Sequence, residues 1–174
     1  MFDPTIYDNL KVVFEGGLYD LDEEGRAVVS GREDLVDLAS MSRTFRMQVR
    51  KREGCCSACL ELSSGLLDFA GELRHIRLAD ELPGCRLRLS FDLPYEYGNH
   101  SPSIQGHLES VWGEVAEIVH EQTRILLPDG GTGKYRVLLE FRDKIDEHNI
   151  EDVEPLLEHF VATLDVLEKY SDPL

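Results

Sequence analysis

Three observations predict a mainly β protein that ends in one amphipathic helix. Phe45, Met47 and Val49 alternate with Arg46, Gln48 and Arg50. Cys85, Leu87, Leu89, Phe91 and Leu93 alternate in the same way with Arg86, Arg88, Ser90 and Asp92. A period of two is that of a strand with one face buried. Near the end, Val153, Leu156, Leu157, Phe160, Val161, Leu164, Leu167 and Tyr170 follow the i, i+3, i+4 spacing of a helix with one apolar stripe. The chain has 174 residues and is 42% hydrophobic. That is enough for a sizeable core in one domain, or in one domain with an appendage.

The net charge of −16 is unevenly placed, because residues 43–90 are net basic and both flanks are acidic. Such a field repels phosphate polymers, which argues against DNA and RNA as partners. A small anion held by arginines in the basic block is compatible with it. No apolar run reaches the roughly 18–20 residues of a membrane span. MFDPTIYDNL has neither the basic region nor the apolar run of an export signal. The expected compartment is therefore the cytoplasm, where four cysteines at uneven spacing are reduced thiols rather than a disulfide frame.

In chain order, residues 1–42 read as a β extension. Leu10–Phe14 and Gly17–Leu21 are short strands on either side of a Gly16-Gly17 bend, Asp22–Gly25 is a turn, and Arg26–Ser30 returns. Glu33–Met41 reads as one or two helical turns, with Leu35 and Leu38 on one side. Arg43–Arg50 and Cys55–Ser63 are then two strands joined by a Lys51–Gly54 turn. Leu66–Leu82 is mixed in pattern, with breaks at Gly71 and Pro83-Gly84, and Cys85–Leu93 is the clearest strand. Pro94–Pro102 is a loop whose Tyr95, Tyr97 and His100 can cap a barrel rim or stack on a partner. Ile104–Gln122 carries a helical apolar period, but Gly106, Gly113 and several β-branched residues favour strand. Thr123–Leu127 and Tyr135–Phe141 are paired strands, and Asn149–Tyr170 is the helix, with Pro155 in its first turn.

Several motifs fall short of chemistry. DLDEEG (Asp20–Gly25) begins like a calcium loop, but Glu24 and Gly31 stand where the coordinating residues belong. PDGGTGKY (Pro128–Tyr135) has proline where a phosphate loop needs its first glycine, and Lys134 has no Ser or Thr after it. Cys56 and Cys59 form a lone C-x2-C, and on a strand they point to opposite faces, so no zinc site is expected from them or from Cys85. Glu117-Ile-Val-His120 is a single E-x-x-H where a di-iron bundle needs two. No nucleophile–base set is recognisable, so neither an enzyme nor a cofactor is expected.

Taken together, SRTFRMQVR, ELSSGLL, CRLRLSFDLP, YRVLLEF and NIEDVEPLLEHF occur in an order that resembles the PilZ domain. That is a β-barrel family of bacterial receptors for cyclic di-GMP. The resemblance implies a six- or seven-stranded antiparallel β-barrel over residues 43–174, closed by the C-terminal helix and preceded by the 1–42 β extension. In it, residues 104–122 are barrel strand. It also implies a ligand site built from Arg43, Arg46, Arg50, Glu61, Ser63 and Gly65. Here the family's R-x-x-x-R has Ser42 in its first position if Arg46 is the second arginine, Glu61 replaces Asp or Asn, and Leu66 replaces the last glycine. Arginine forks grip phosphate and guanine edges bidentately, so altered spacing weakens them. The resemblance thus implies either a cyclic di-GMP receptor or an adaptor that binds only an unidentified protein. The adaptor would use the outer acids Glu154, Glu158, Asp165 and Glu168 of the last helix, or the Tyr95–His100 loop.

Overall fold

The computed structural model describes residues 5–75, 82–126 and 131–171. It contains one six-stranded antiparallel sheet and four α-helices. The strands are β1 (Val28–Asp37), β2 (Ser42–Arg50), β3 (Ser57–Ser64), β4 (Arg86–Pro94), β5 (Ala116–Ile125) and β6 (Thr132–Phe141), in the order β1-β2-β3-β4-β6-β5. The sheet is open, with β1 and β5 as its edges, and is not closed into a barrel. The helices are α1 (Thr5–Glu23), α2 (Leu66–Arg74), α3 (Ser101–Trp112) and α4 (Val153–Glu168). The architecture is α+β, a correction to the mainly β expectation.

The alternation read in β2 and β4 divides the sheet as expected. Phe45, Met47, Val49, Leu87, Leu89, Phe91 and Leu93 are all buried, on the face that the helices cover. The opposite face has no helix on it among the described elements, and its residues are polar or half-exposed. The helix expected at Asn149–Tyr170 forms as a short 3-10 segment, Glu147–Asp152, followed by α4. Asp146 caps it by accepting a hydrogen bond from His148 N at 2.8 Å. Phe160, on α4, packs against Phe91 with ring centroids 5.6 Å apart.

Within the expected N-terminal β extension, the strands read at Leu10–Phe14 and Gly17–Leu21 are instead helix α1, while the returning strand read at Arg26–Ser30 runs into β1 from Val28. Tyr7, Leu10, Phe14, Leu18 and Leu21 are the buried stripe of α1, and they join the same core as the sheet. Gly16-Gly17 is not a bend. An added Cβ at Gly17 would meet Leu157 of α4 at 2.5 Å, so the glycine lets two helices approach closely. Residues 33–37 belong to strand β1, not to a helix, and the β1–β2 hairpin turns through Leu38–Met41. There the Asp37 carboxylate accepts from Ala39 N at 2.8 Å and from the Ser40 hydroxyl at 2.9 Å.

Residues 104–122 divide. Ile104, Leu108 and Trp112 form the buried side of α3, while Ala116 begins β5, which pairs with β6 along its length. Gly113 sits just past the helix end, whereas Gly106 lies inside α3, where its cost of about 1 kcal/mol is offset by the burial of Ile104, Leu108 and Trp112. The glycine-rich turn expected at Pro128–Lys134 lies partly outside the described residues. No helix among those described is long and apolar enough to cross a membrane.

Candidate functional site

The six residues expected to hold an anion do not converge. Arg43 and Arg46 lie three residues apart on β2, and an odd separation on a strand sends them to opposite faces. Arg43 points to the covered face. Its Nη1 donates to Asp8 at 3.0 Å, its Nη2 to Asp34 at 3.1 Å, and its guanidinium lies 4.8 Å over the Tyr7 ring. Lys11 also donates to Asp34 at 2.9 Å, and Tyr7 donates its hydroxyl proton to the same carboxylate at 3.1 Å. Burial pulls the Asp34 carboxyl upward, but the hydrogen bonds and charges of Lys11 and Arg43 outweigh it and hold the group below its ordinary range. This network fastens α1 to β1 and β2.

Arg46, Arg50, Glu61 and Ser63 are on the open face. Arg46 Nε donates to Glu61 at 2.6 Å, and Arg46 also pairs with Glu33 at 3.4 Å. Arg50 is exposed and makes no ion pair among the described residues. Gly65 caps α2, where its N–H donates to Asp68 at 3.1 Å, and Leu66 behind it is half-exposed. Each of the two best-placed arginines therefore already has two carboxylate partners, and they are separated by the thickness of the sheet.

The strand registers gather these open-face pairs into a ladder across the whole sheet. Glu33, Arg46, Glu61, Arg88, Glu140 and Glu117 stand side by side on β1, β2, β3, β4, β6 and β5. Arg88 closes on Glu61 at 3.6 Å and on Glu140 at 2.7 Å. A second row pairs Arg136 with Asp92 through two bonds of 2.5 and 3.0 Å. Alternating charges neutralise most of this face, and only the last pair, Glu140 and Glu117, is like-charged.

The acidic outer side of α4 is also largely engaged. Arg26 grips Glu158 with two bonds of 2.6 and 2.5 Å, Lys51 meets Asp165 at 2.6 Å, and Glu168 accepts from the backbone N–H groups of Cys55 and Cys56 at 3.1 and 2.9 Å. Glu154 has no partner among the described residues. It rims a cleft of about 360 Å³ between α1 and α4 whose floor is Val13, Leu21, Val153 and Leu157. Asp20 and Glu151 stand at the same rim, exposed and without an ion pair among the described residues. Sequence reading placed Asp20 in the short strand Gly17–Leu21 and missed this cleft, because it depends on α1 being a helix.

The aromatic loop is a 3-10 helix, Tyr95–His100, with its rings turned to the chain itself. Tyr97 is buried, and the His100 and Tyr170 rings lie 5.9 Å apart. Glu117 and His120 take opposite faces of β5. His120 stacks on Tyr135, meets its hydroxyl through Nδ1, and lies 2.6 Å from Gln105 Oε1 through Nε2, while burial lowers its pKa. Cys59 is on the open face, where burial among its neighbours pushes the thiol up to about 11, and Cys85 is buried beneath the helices. Comparison with known proteins returns no match to a family model, a curated protein or a solved structure.

Proposed function

We propose that this chain is a non-enzymatic interaction module whose α1–α4 cleft receives a basic amphipathic segment of a partner protein. The observation that carries the reading is the set of acids with no ion pair among the described residues, Asp20, Glu151 and Glu154, around an apolar floor in a protein of net charge −16. Apolar side chains of the partner would fill the floor while its Lys or Arg side chains meet the rim. Charge complementarity of that kind speeds encounter and is screened by salt. This keeps the adaptor alternative but moves its surface from the outer acids of α4 and the Tyr95–His100 loop to the α1–α4 cleft. The receptor form asks Arg43, Arg46 and Arg50 to grip one cyclic di-GMP, and the position of Arg43 across the sheet from Arg46 and Arg50 supports the adaptor instead.

A fluorescent helical peptide with leucines on one face and lysines on the other tests the cleft. The triple variant Asp20→Asn, Glu151→Gln, Glu154→Gln should weaken its binding at least about tenfold at low salt, as the loss of three complementary rim charges predicts. The control, Glu53, Glu96 and Glu117 each changed to Gln, removes the same charge elsewhere and should bind nearly as the parent does. Equal weakening in both variants would mean that the peptide senses only net charge. Calorimetric titration with cyclic di-GMP provides the competing arm. Binding that disappears in Arg46→Ala would restore the receptor reading.

A further inference from the structure

Cys55 and Cys56 are consecutive, yet their sulfurs lie 3.8 Å apart on one side of the chain. Consecutive side chains diverge in a strand, but these two precede β3, in the irregular stretch that follows the Lys51–Gly54 turn. Glu168, near the end of α4, comes to the same point, with its Oε2 3.4 Å from the Cys55 sulfur. One donor atom from each of the three side chains lies within 4.8 Å of the others. A tetrahedral ion with metal–sulfur bonds of about 2.3 Å and a metal–oxygen bond of about 2.1 Å would set its ligand atoms about 3.8 Å (S···S) and about 3.6 Å (S···O) apart. The sulfur–sulfur separation of 3.8 Å matches the first, the Cys55 sulfur–carboxylate separation of 3.4 Å is close to the second, and the Cys56 sulfur lies within 4.8 Å of the carboxylate ligand atom.

We propose that Cys55, Cys56 and Glu168 form a binding site for one thiophilic divalent cation of the Zn²⁺ type. Two thiolates and one carboxylate oxygen supply three ligands, and a water completes the tetrahedron. Binding is a proton exchange. As the two metal–sulfur bonds form, the two S–H protons pass to solvent, and the carboxylate exchanges the weak S–H donor for the metal. Metal affinity therefore rises with pH.

The surroundings hold these ligands in place. The backbone N–H groups of Cys55 and Cys56 fix both Glu168 oxygens. An added Cβ at Gly54 would collide with the carboxylate, so a side chain there would displace the ligand. The buried Tyr97 hydroxyl lies 3.2 Å from the Cys55 sulfur and can donate to its thiolate. The site would clip the end of α4 to the approach to β3 and to the 3-10 helix after β4. The C-x2-C of Cys56 and Cys59 is not the ligand pair, because Cys59 lies on the open face.

Titration of the fully reduced, full-length protein with Co²⁺ is the test. One equivalent should bring up near-ultraviolet thiolate-to-cobalt absorption together with the visible bands of a tetrahedral ion, and Zn²⁺ should abolish both. Zn²⁺ should also shield two of the four cysteines from a thiol reagent and raise the melting temperature. Cys55→Ser, at an exposed position, should lose the absorption and the thermal shift while keeping the parent's circular dichroism. Glu168→Gln should weaken binding by at least about tenfold, the smallest loss that removing an outer-shell partner produces. Cys59→Ser should bind as the parent does. The assignment fails if saturating Co²⁺ gives no thiolate band, or if the band survives in Cys55→Ser.

Discussion

Arg43 and Arg46 leave the same strand three residues apart and enter different media. Arg43 goes under α1, where its side chain is 15% exposed and its neighbours are Tyr7, Lys11, Asp8 and Asp34. Arg46 goes to the open face, where its side chain is 39% exposed and it forms one rung of a charge ladder. On one side of the sheet, ion pairs stand among apolar contacts and are poorly screened. On the other, water reaches them and their energies shrink toward those of ordinary surface pairs. The same chemistry should therefore matter for folding on one face and hardly at all on the other.

The covered face should give the largest effects. Phe160 is fully buried against Phe91, and truncating it leaves a cavity in the centre of the core. Phe160→Ala should cost about 3–5 kcal/mol of unfolding free energy, read from the urea midpoint. Ser90→Ala, on the other side of β4, should change it by less than about 0.5 kcal/mol, as surface substitutions do. Comparable losses from both would mean that the open face is covered by something that also contributes to stability.

Asp34 comes next. Replacing it by Asn leaves Lys11 and Arg43 short of a carboxylate in a half-buried setting, at a cost of about 1–3 kcal/mol. Its pH dependence has a definite sign. A carboxyl whose folded pKa lies below its ordinary value stabilises fully above about pH 4, and the contribution is lost as pH falls through the folded value. Thermal melts between pH 7 and pH 3 should show a steeper acid loss in the parent than in Asp34→Asn. Superimposable acid limbs would remove Asp34 from the account.

The two faces also explain what could be read in advance. The strands at Phe45–Val49 and Cys85–Leu93 and the final helix were legible, because a buried face writes its period directly into the residues. Helix α1 was not. Its stripe Tyr7, Leu10, Phe14, Leu18, Leu21 is regular, but Gly16-Gly17 looks like a break until Leu157 is seen against Gly17. In Ile104–Trp112 the helical period was present, and the resemblance to a barrel family argued it away. The arginine cluster was legible as composition only. Which face each guanidinium takes follows from strand parity, but that each already has carboxylate partners depends on Asp8, Asp34, Glu33 and Glu61, which come from other elements. The Cys55–Cys56–Glu168 group joins residues more than a hundred positions apart, which no local pattern shows.

Arg46→Ala should show how small the open-face energies are. Arg46 bridges Glu33 and Glu61, and its loss should cost no more than about 1 kcal/mol at low salt. Raising the ionic strength should shrink that difference toward zero, since exposed pairs are screened. Arg43→Ala measured in the same buffers should keep most of its larger cost at high salt. Equal salt sensitivity in the two variants would erase the distinction between the faces.

The smallest effect has the opposite sign and lies at the end of the ladder. The charges alternate from Glu33 to Glu140, and then Glu140 faces Glu117 across the β6–β5 pair. Like charges directly opposite on adjacent strands repel, and an opposite pair contributes roughly 0.2–1 kcal/mol instead. Glu117→Lys should therefore stabilise the protein by a few tenths of a kcal/mol at low salt, toward the lower end of that range because β5 is an exposed edge. The introduced lysine would share Glu140 with Arg88, so the gain should grow in an Arg88→Ala background, where it is the carboxylate's sole cation in the ladder. That dependence separates a true ladder contact from a general drop in net charge, which would raise stability equally in both backgrounds. A double-mutant cycle at low and high salt measures it. Coupling of zero at low salt would show that the last rung does not form. Coupling that appears at low salt and fades with added salt is what an exposed, alternating ladder requires.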